Sequence, residues 1–448
     1  MIKIIVPFAV IIAIMVIKKI PKIGGDVRFA LILGALAALL MGGVYNPVEW
    51  LQAGFSGLNN VSFIIWLIFF GALFSEVLVH NGGMEAFLNF MRSTFGRTPK
   101  GLLVVMILFC VVGGALFGDA TAAVTIIGFL GINALAELKL EPEQITASLV
   151  MGSAMGSIMP PISQATVLAA SLVGLKDETP AITLTYFTVG IGVILMSLYA
   201  SRWVKIKQLP EELIPKESPK EILRNTWGSM VSFVLLFVIV LFQSLGHNPI
   251  AFLDIALAGV KTIPIIGGIT NKIVLAVVIA FIISFLYKPT RDHTGDIIKI
   301  GFRKMLLPEV IMVCSAFLIG AFRAGGQVAF MQEFAASIQD SLLKLTGSFT
   351  MVMTGMITGL QSSTQTTIFT VLGPALTQIG VTPVHATVAG AHLAMAGQGL
   401  PPADMLTFLT VGLVGGVIGK QINPMKSMKY SCPQCIYFIL VALVFLFI

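Results

Sequence analysis

Charged residues are scarce in this chain. They make up 11% of the 448 residues, against about 25% in soluble proteins, whereas hydrophobic residues make up 56%. Several apolar stretches are longer than the ~20 residues needed to cross a bilayer. The composition therefore indicates a polytopic membrane protein with little soluble mass. The net charge of +7 is distributed between the apolar stretches, which is the positive-inside pattern rather than a nucleic-acid footprint.

Motifs of several other protein classes are absent. The sequence has no G-x-x-x-x-G-K-[ST] phosphate loop, nucleophile elbow or metal-ligand cluster, so neither a nucleotide-driven pump nor an enzyme is expected, and no cofactor is expected. Cys110 and Cys314 lie in apolar runs, and Cys432-Pro433-Gln434-Cys435 is a lone CxxC, which disfavours metal or redox chemistry. The first apolar run, residues 2–17, lacks a cleavage site and is interpreted as a retained span.

The chain contains two similar halves. The matching positions lie about 242 residues apart (325 − 82 = 243; 401 − 160 = 241). They pair Gly82, Gly83, Phe87, Pro142 and Pro160-Pro161 with Gly325, Gly326, Phe330, Pro383 and Pro401-Pro402. Between these landmarks each half has a polar interruption in apolar sequence, at residues 117–122 and 361–367. A duplicated membrane chain with matching broken segments is typical of secondary transporters.

Basic residues orient the apolar stretches. Clusters at residues 18–22, 92–100, 202–224, 288–304 and 420–429, including Lys18, Lys19, Lys22 and Lys216, are placed on the cytoplasmic side. This placement predicts two inverted repeats within an all-helical membrane fold. The expected units are N-terminal scaffold spans 1–60, a first repeat 61–201, a cytoplasmic linker 202–228, connecting scaffold spans 229–304, a second repeat 305–429 and a C-terminal span 430–448.

Each repeat is predicted to contain a re-entrant hairpin and a proline-broken helix. Residues 101–136 carry one charge, Asp119, and residues 345–384 carry none. Non-helical backbone at a hairpin tip is tolerated in the membrane only where protein or water surrounds it. Prolines remove the backbone donor to the carbonyl four residues earlier. Pro160-Pro161 and Pro401-Pro402 are therefore expected to free the carbonyls of Gly156, Ser157, Gly397 and Gln398 for a sodium ion or for water, unless each is a plain kink satisfied by Ser153, Ser157 or water.

The hairpin tips are expected to complete the site. Half-helices that begin there would direct free N–H groups toward an anion near Thr121, Ser362, Ser363 and Thr364, although these residues could also be simple helix caps. Asp119 is a carboxylate within the membrane and therefore a functional candidate, as a sodium ligand, a proton carrier or an N-cap. The amides of Gln164, Gln365 and Gln398 could orient a polar substrate.

Four further features carry weaker hypotheses. Asp404 follows the second break and is a lesser version of Asp119, and His392 is expected to be a packing residue rather than a titrating one. Arg323 and Glu309 share one span and could pair with each other. Gly152 and Gly156, spaced GxxxG, are expected to allow close helix packing.

The segments Met155–Ser163 and Gly380–His385, together with Gly397-Gln398-Gly399-Leu400-Pro401-Pro402, resemble a known group. From about residue 24 to its end, the chain is similar to the large membrane subunit of tripartite ATP-independent periplasmic (TRAP) transporters, within the ion transporter superfamily. That resemblance implies an elevator mechanism, in which hairpins and broken helices slide against a scaffold. It also implies sodium at the tips and breaks, a small membrane subunit and an extracytoplasmic substrate-binding protein as partners.

The resulting hypothesis is a symporter in a prokaryotic plasma membrane that imports a small organic anion, such as a dicarboxylate, with Na+ as coupling ion. Sodium is assigned to Asp119, Gly156, Ser157, Gly397 and Gln398. The substrate is assigned to Thr121, Gln164, Ser362, Ser363, Thr364, Gln365 and Gln398. Lipid is expected around the spans, a homodimer is left open, and no nucleic acid is expected. The alternative is a proton-coupled gluconate- or citrate-type permease that works without partner subunits.

Overall fold

A computed structural model describes residues 2–17, 23–125, 129–210, 214, 217–245, 247–335 and 337–448. Every regular element among them is helical. Six of these helices are long and apolar enough to cross a membrane, judged by length and composition. The all-helical membrane fold expected from the sequence is therefore confirmed.

The first part of the chain forms twelve helices. They are α1 (Ile2–Val16), α2 (Val27–Gly42), α3 (Pro47–Asn60), α4 (Ser62–His80), α5 (Gly83–Phe95), α6 (Pro99–Phe117), α7 (Ala120–Ala123), α8 (Phe129–Glu137), α9 (Pro142–Ile158), α10 (Gln164–Val173), α11 (Thr179–Ser201) and α12 (Pro219–Ser244).

The second part begins with short outer elements. It comprises α13 (Phe252–Ala256), α14 (Ala258–Lys261), a 3-10 turn (Ile266–Thr270), α15 (Lys272–Ser284), α16 (Lys288–Asp292), α17 (Thr294–Ala324), α18 (Gln327–Ala335), α19 (Asp340–Thr358), α20 (Gln361–Thr364), a π-helical turn (Gln365–Phe369), α21 (Thr370–Gln378), α22 (Pro383–Gly399), α23 (Met405–Ile418) and α24 (Pro424–Phe447).

The two halves share one order of helices. Helices α4 to α11 correspond in turn to α17 to α24, including the short tip helices α7 and α20. Several helices begin with a proline in the first turn. A proline is favourable there because the N–H groups of the first turn have no acceptor within the helix, so its missing N–H costs no hydrogen bond. At α6 and α22, a preceding Thr98 or Thr382 accepts a bond from a backbone N–H of the first turn.

Packing between the halves is reciprocal. Helix α10 of the first half packs on α22, and its counterpart α23 packs on α9. Helix α24 likewise packs on α9, as its counterpart α11 packs on α22. The central helices of each half are therefore covered by elements of the other half.

Glycines set the contact between each hairpin and its broken helix. A Cβ on Gly156 would lie 2.2 Å from the carbonyl oxygen of Val111, and one on Gly397 would lie 2.7 Å from that of Val352. Gly152 is equally restricted, because its Cβ would lie 2.6 Å from the carbonyl oxygen of Ile107. Gly152 and Gly156 thus allow close helix packing, as their spacing indicated.

Several element boundaries differ from the sequence prediction. The second repeat is predicted to begin at residue 305, whereas the 31-residue helix α17 begins at Thr294 and includes the basic residues Lys299, Arg303 and Lys304. Helix α12 begins at Pro219, inside the segment interpreted as a linker, because Ser218 and Glu221 form a capping box there. Lys18, Lys19, Lys22 and Lys216 lie outside the described residues.

Candidate functional site

Each hairpin tip packs against helices of both breaks. Tip helix α7 packs against α9 of its own half and against α23 of the other half. Tip helix α20 packs against α22 of its own half and against α10 of the other half. Each tip therefore contacts the first half-helix of its own break and the second half-helix of the other break. The structure therefore places each predicted tip in contact with both predicted breaks.

Asp119 is the N-cap of the first hairpin tip. Helix α6 ends at Gly118 with φ of 67°, a left-handed conformation that glycine adopts without strain. The Oδ1 atom of Asp119 accepts a bond from the backbone N–H of Thr121 at 2.8 Å. The Thr121 hydroxyl donates to Oδ2 at 2.7 Å. The N-cap role is thus present, and both carboxylate oxygens keep lone pairs for a further donor or cation.

The second tip is organised by glutamine amides. The Oε1 atom of Gln398 accepts a bond from the backbone N–H of Gln361 at 2.7 Å, which joins the break of this half to its tip. The Nε2 atom of Gln361 donates to Oε1 of Gln365 at 2.5 Å. In turn, Nε2 of Gln365 donates to the carbonyl of Ala165 at 2.8 Å, across to the first half. These amides hold the backbone in place.

Two buried hydroxyls at the second tip have no hydrogen-bond partner among the residues that the structure describes. The Oγ atom of Ser363 and the Oγ1 atom of Thr367 are both unpaired, and each residue is only 1% exposed. They are four residues apart and thus lie on neighbouring turns. Thr364, by contrast, donates back to the carbonyl of Leu360 at 2.9 Å. Unpaired buried polar atoms are costly unless a ligand or water satisfies them.

Two of the carbonyls at the breaks that the sequence predicts to be free are hydrogen-bonded in the structure. The carbonyl of Gly156 accepts a bond from the N–H of Met159 at 3.0 Å, and that of Gly397 accepts one from Leu400 at 3.3 Å. The helix ends tighten to i→i+3 bonds, which recover a partner that the prolines remove. Each carbonyl retains its second lone pair, which is the only one it could offer to a ligand.

The first break is tied to its hairpin. The backbone N–H of Ile162 donates to the carbonyl of Ala115 at 2.8 Å, and a Cβ on Gly118 would lie 2.8 Å from the carbonyl oxygen of Ile162. Ser157 donates to the carbonyl of Ala154 at 2.9 Å, within its own helix. Gln164 is the half-buried first residue of α10, next to the Ala165 carbonyl that Gln365 binds.

Asp404 is the N-cap of the second half-helix α23. Its Oδ1 accepts a bond from the N–H of Leu406 at 3.1 Å, and its Oδ2 accepts one from the Thr407 hydroxyl. The side chain is fully buried, and no ion pair reaches it within the described part of the chain. A cavity of about 10 Å³, the size of one water, lies beside it and is also lined by Gln398, Ser431 and Gln434.

The remaining candidates lie away from this centre. The Nδ1 atom of His392 is 2.8 Å from the carbonyl oxygen of Val388 and its ring packs on Phe438, which fits a packing residue. Glu309 and Arg323 cannot pair, because fourteen residues along α17 separate them by about 21 Å. All four cysteines are free. The described residues contain no group of three metal ligands of the His, Cys, Asp or Glu type.

Residues missed from the sequence follow the internal repeat. Gly114 and Gly355 face the break glycines at matching positions, with Cα atoms 2.8 and 2.9 Å from the Cβ built on Gly156 or Gly397. Thr166 and Thr407 bond the capping residues Ser163 and Asp404 of their half-helices. An alignment of the two halves at the offset of 241 residues (397 − 156 = 241) would have identified these pairs.

Comparison with known proteins decides the family. The model of the family "Tripartite ATP-independent periplasmic transporter, DctM component" matches residues 8–448. The chain belongs to this family. It is a multi-pass membrane protein of the prokaryotic inner membrane and a component of a secondary transporter, not an enzyme. The DctM component normally works with a small membrane subunit and a periplasmic binding protein.

A solved structure supports the fold of this DctM protein. The crystal structure of the YdaH transporter of Alcanivorax borkumensis aligns with a TM-score of 0.59 and 14% identity, over 88% of this chain and 85% of that chain. At this identity the likeness extends to the fold alone. The comparison with curated proteins returned no match.

Proposed function

We propose that this DctM protein imports a small organic anion together with sodium by an elevator mechanism. The observation that carries the proposal is the convergence of two hairpin tips and two helix breaks, with two unpaired buried hydroxyls among them. Broken helices that meet in a membrane transporter place N–H groups toward an anion and carbonyl groups toward a cation. Both chemistries are available from this one set of residues.

Sodium is assigned to the tip and break of each half. In the first half, the Asp119 carboxylate supplies negative charge, and the Gly156 carbonyl and the Ser157 hydroxyl supply oxygens. In the second half, the Gly397 carbonyl and the Gln398 amide oxygen take these roles. The donor set consists of oxygens, which suits a hard cation. Asp119 gives the first site a formal charge that the second-half tip lacks, because Leu360 stands at the matching position.

The organic anion is assigned to the space between the tips. Ser363 is the strongest candidate because its buried hydroxyl has no other partner. Thr121, Ser362 and Thr364 supply hydroxyls and N–H groups at the two tips. Gln164, Gln365 and Gln398 lie in the same region. Because the amides of Gln365 and Gln398 are already hydrogen-bonded to backbone groups, they position the second tip rather than contact the anion freely.

The proposed moving unit comprises both hairpins and both broken helices, and the scaffold comprises α1 to α4 with α12 to α17. Transport would require the small membrane subunit and the binding protein that are usual in the family. Inverted orientation of the two halves agrees with the reciprocal packing of α10 on α22 and of α23 on α9.

A proton-coupled permease that works alone is the second candidate. Asp404 favours it, because a fully buried carboxyl that only neutral donors contact is expensive to keep ionised. This candidate predicts uptake that follows the pH gradient, is indifferent to sodium and needs no partner subunit.

The test is the melting temperature of purified protein against sodium at constant ionic strength, with choline as the replacement ion, at two pH values. A ligand at a hundredfold excess over its Kd stabilises the folded state by about 2.7 kcal/mol, which is readily detected. We expect a sodium-specific rise that Asp119→Ala abolishes. Asp254→Ala, which removes an exposed acid far from the site, should retain the rise.

The opposite result is equally informative. No sodium effect in the wild type, together with a melting temperature that follows pH, would overturn sodium coupling and favour the permease. An unchanged sodium response in Asp119→Ala would remove this carboxylate from the site.

A further inference from the structure

A polar cluster joins the loop between α10 and α11 to the start of α15. The Nζ atom of Lys272 lies 2.5 Å from Oδ1 of Asp177 and also donates to the Thr179 hydroxyl. Beside it, Nδ2 of Asn271 donates to Oε1 of Glu178 at 3.1 Å. These contacts connect segments that are about 95 residues apart in the sequence.

The cluster is reinforced from both sides. The Thr179 hydroxyl and backbone N–H both donate to Oδ1 of Asp177, at 2.7 and 3.1 Å, which fixes the carboxylate toward Lys272. Six residues before Asp177, near the end of α10, the hydroxyl of Ser171 donates to the carbonyl of Asn60 at 3.2 Å. The α10–α11 loop is therefore anchored to the start of α15, and the end of α10 is anchored to α3 through the Ser171 hydroxyl.

The internal repeat lacks a second copy of this cluster. At the repeat offset, Ile418 and Gly419 occupy the positions of Asp177 and Glu178 (418 − 177 = 241). Neither residue can form a charged contact with a scaffold helix. When a moving unit slides between two positions, a contact that forms in only one position stabilises that position relative to the other.

We propose that Asp177, Glu178, Asn271 and Lys272 form a latch that holds the moving unit in the position seen in this structure and sets its conformational equilibrium. The proposal rests on the sliding motion of the proposed function, since the loop that carries Asp177 and Glu178 directly follows α10 of the moving unit, whereas α15 belongs to the scaffold. Release of the latch exposes α10 near Ser171, because that hydroxyl must leave Asn60 when the loop departs.

The latch borders a groove of about 490 Å³ that offers a matched control. Lys261 lines the same groove, but it forms no ion pair or hydrogen bond with its side chain among the described residues. Lys261→Gln thus removes the same charge as Lys272→Gln without breaking a contact.

The experiment measures how fast a membrane-impermeant maleimide labels Ser171→Cys in a chain whose four native cysteines are replaced by alanine. Asp177→Asn and Lys272→Gln should each raise the labelling rate by about twofold to fivefold, the range that a partly exposed ion pair supplies. Lys261→Gln should not change it. The charge exchange Asp177→Lys with Lys272→Asp should restore the slow rate, which separates a lost contact from misfolding.

Unchanged labelling in Asp177→Asn and Lys272→Gln, with the melting temperature retained, would overturn the latch. The sodium-dependent melting shift is measured separately, so sodium coupling can fail while the latch stands, and the reverse also holds.

Discussion

At the scale of single residues, the two halves place their carboxylates at different corners of the site. Asp119 caps the first tip helix, where the second half has Leu360, and Asp404 caps the second half-helix α23, where the first half has Ser163. Each half thus contributes one carboxylate to the tips and breaks, and the two differ in burial, since Asp119 is half-buried and Asp404 fully buried. The halves are therefore similar in backbone and different in charge.

Glu141 provides a residue-scale prediction about pH. Its carboxylate accepts bonds from Lys426 at 2.9 Å and from Tyr430 at 3.0 Å, which joins the starts of α9 and α24. Lys426, and to a lesser extent Tyr430, hold the pKa of this carboxyl below its usual value. A carboxyl whose pKa is lowered by folding stabilises the protein above its unfolded pKa, and this contribution is lost as the pH falls through the folded value.

We expect Glu141→Gln to have a slightly lower melting temperature than the wild type at pH 7, and we expect this gap to narrow as the pH falls below the ordinary pKa of about 4.3 and to close below the lowered pKa of the folded state. Melting curves across this range test the sign. Lys426→Gln should also remove most of the melting-temperature difference that Glu141→Gln produces at neutral pH. A gap between the wild type and Glu141→Gln that persists at acid pH would refute the role of the charge.

At the scale of elements, backbone contact between hairpin and break is the main feature of each half. Gly359 ends α19 with φ of 65°, and a Cβ there would lie 1.9 Å from the carbonyl oxygen of Ala403. Gly118 occupies the same place in the first half with slightly more room. The second hairpin also contains a π-helical turn, Gln365–Phe369. Such turns are frequent at functional sites.

Gly359→Ala tests whether this backbone contact supports the site. Gly419→Ala is the control, because Gly419 has a similar φ of 70° but open space around its Cβ. Both changes cost roughly 1–2 kcal/mol of left-handed strain. Only Gly359→Ala should lower the melting temperature further and weaken the sodium-dependent shift. Equal effects of the two substitutions would show that strain alone matters.

At the scale of the whole molecule, the two halves pack reciprocally, and the proposed inversion assigns them opposite directions across the membrane. Glu137 follows the first hairpin, and Gln378 follows the second at the matching position (378 − 137 = 241). Both side chains are exposed. Their sidedness therefore reports the orientation of each half.

Single cysteines at these two positions should react from opposite faces of the membrane. An impermeant maleimide applied to intact cells should label Gln378→Cys directly, and Glu137→Cys only after permeabilisation. Unpermeabilised labelling of a cysteine at Tyr45, exposed beyond the end of α2, serves as the outside reference. Labelling of both test positions from the same face would mean parallel repeats.

Much of the fold could be predicted because local rules and the repeat agree. Helix α4 begins and ends where its apolar run does, and the breaks at Pro160-Pro161 and Pro401-Pro402 follow from the missing proline N–H. The length of α17 could not be predicted, because the charges of Lys299, Arg303 and Lys304 are typical of a loop between spans. In the structure these residues are helical, and Lys304 forms an ion pair with the buried Glu76.

The sequence by itself determined the membrane class, the two similar halves, the breaks and the polar tips, because each depends on hydrophobicity or backbone chemistry within a short segment. Only the tertiary structure decided which groups are satisfied. It paired the carbonyls of Gly156 and Gly397, tied Gln398 and Gln365 to backbone, and left the hydroxyls of Ser363 and Thr367 without partners. Hydrogen bonding between segments some 200 residues apart depends on how helices pack, which the order of residues along the chain does not specify.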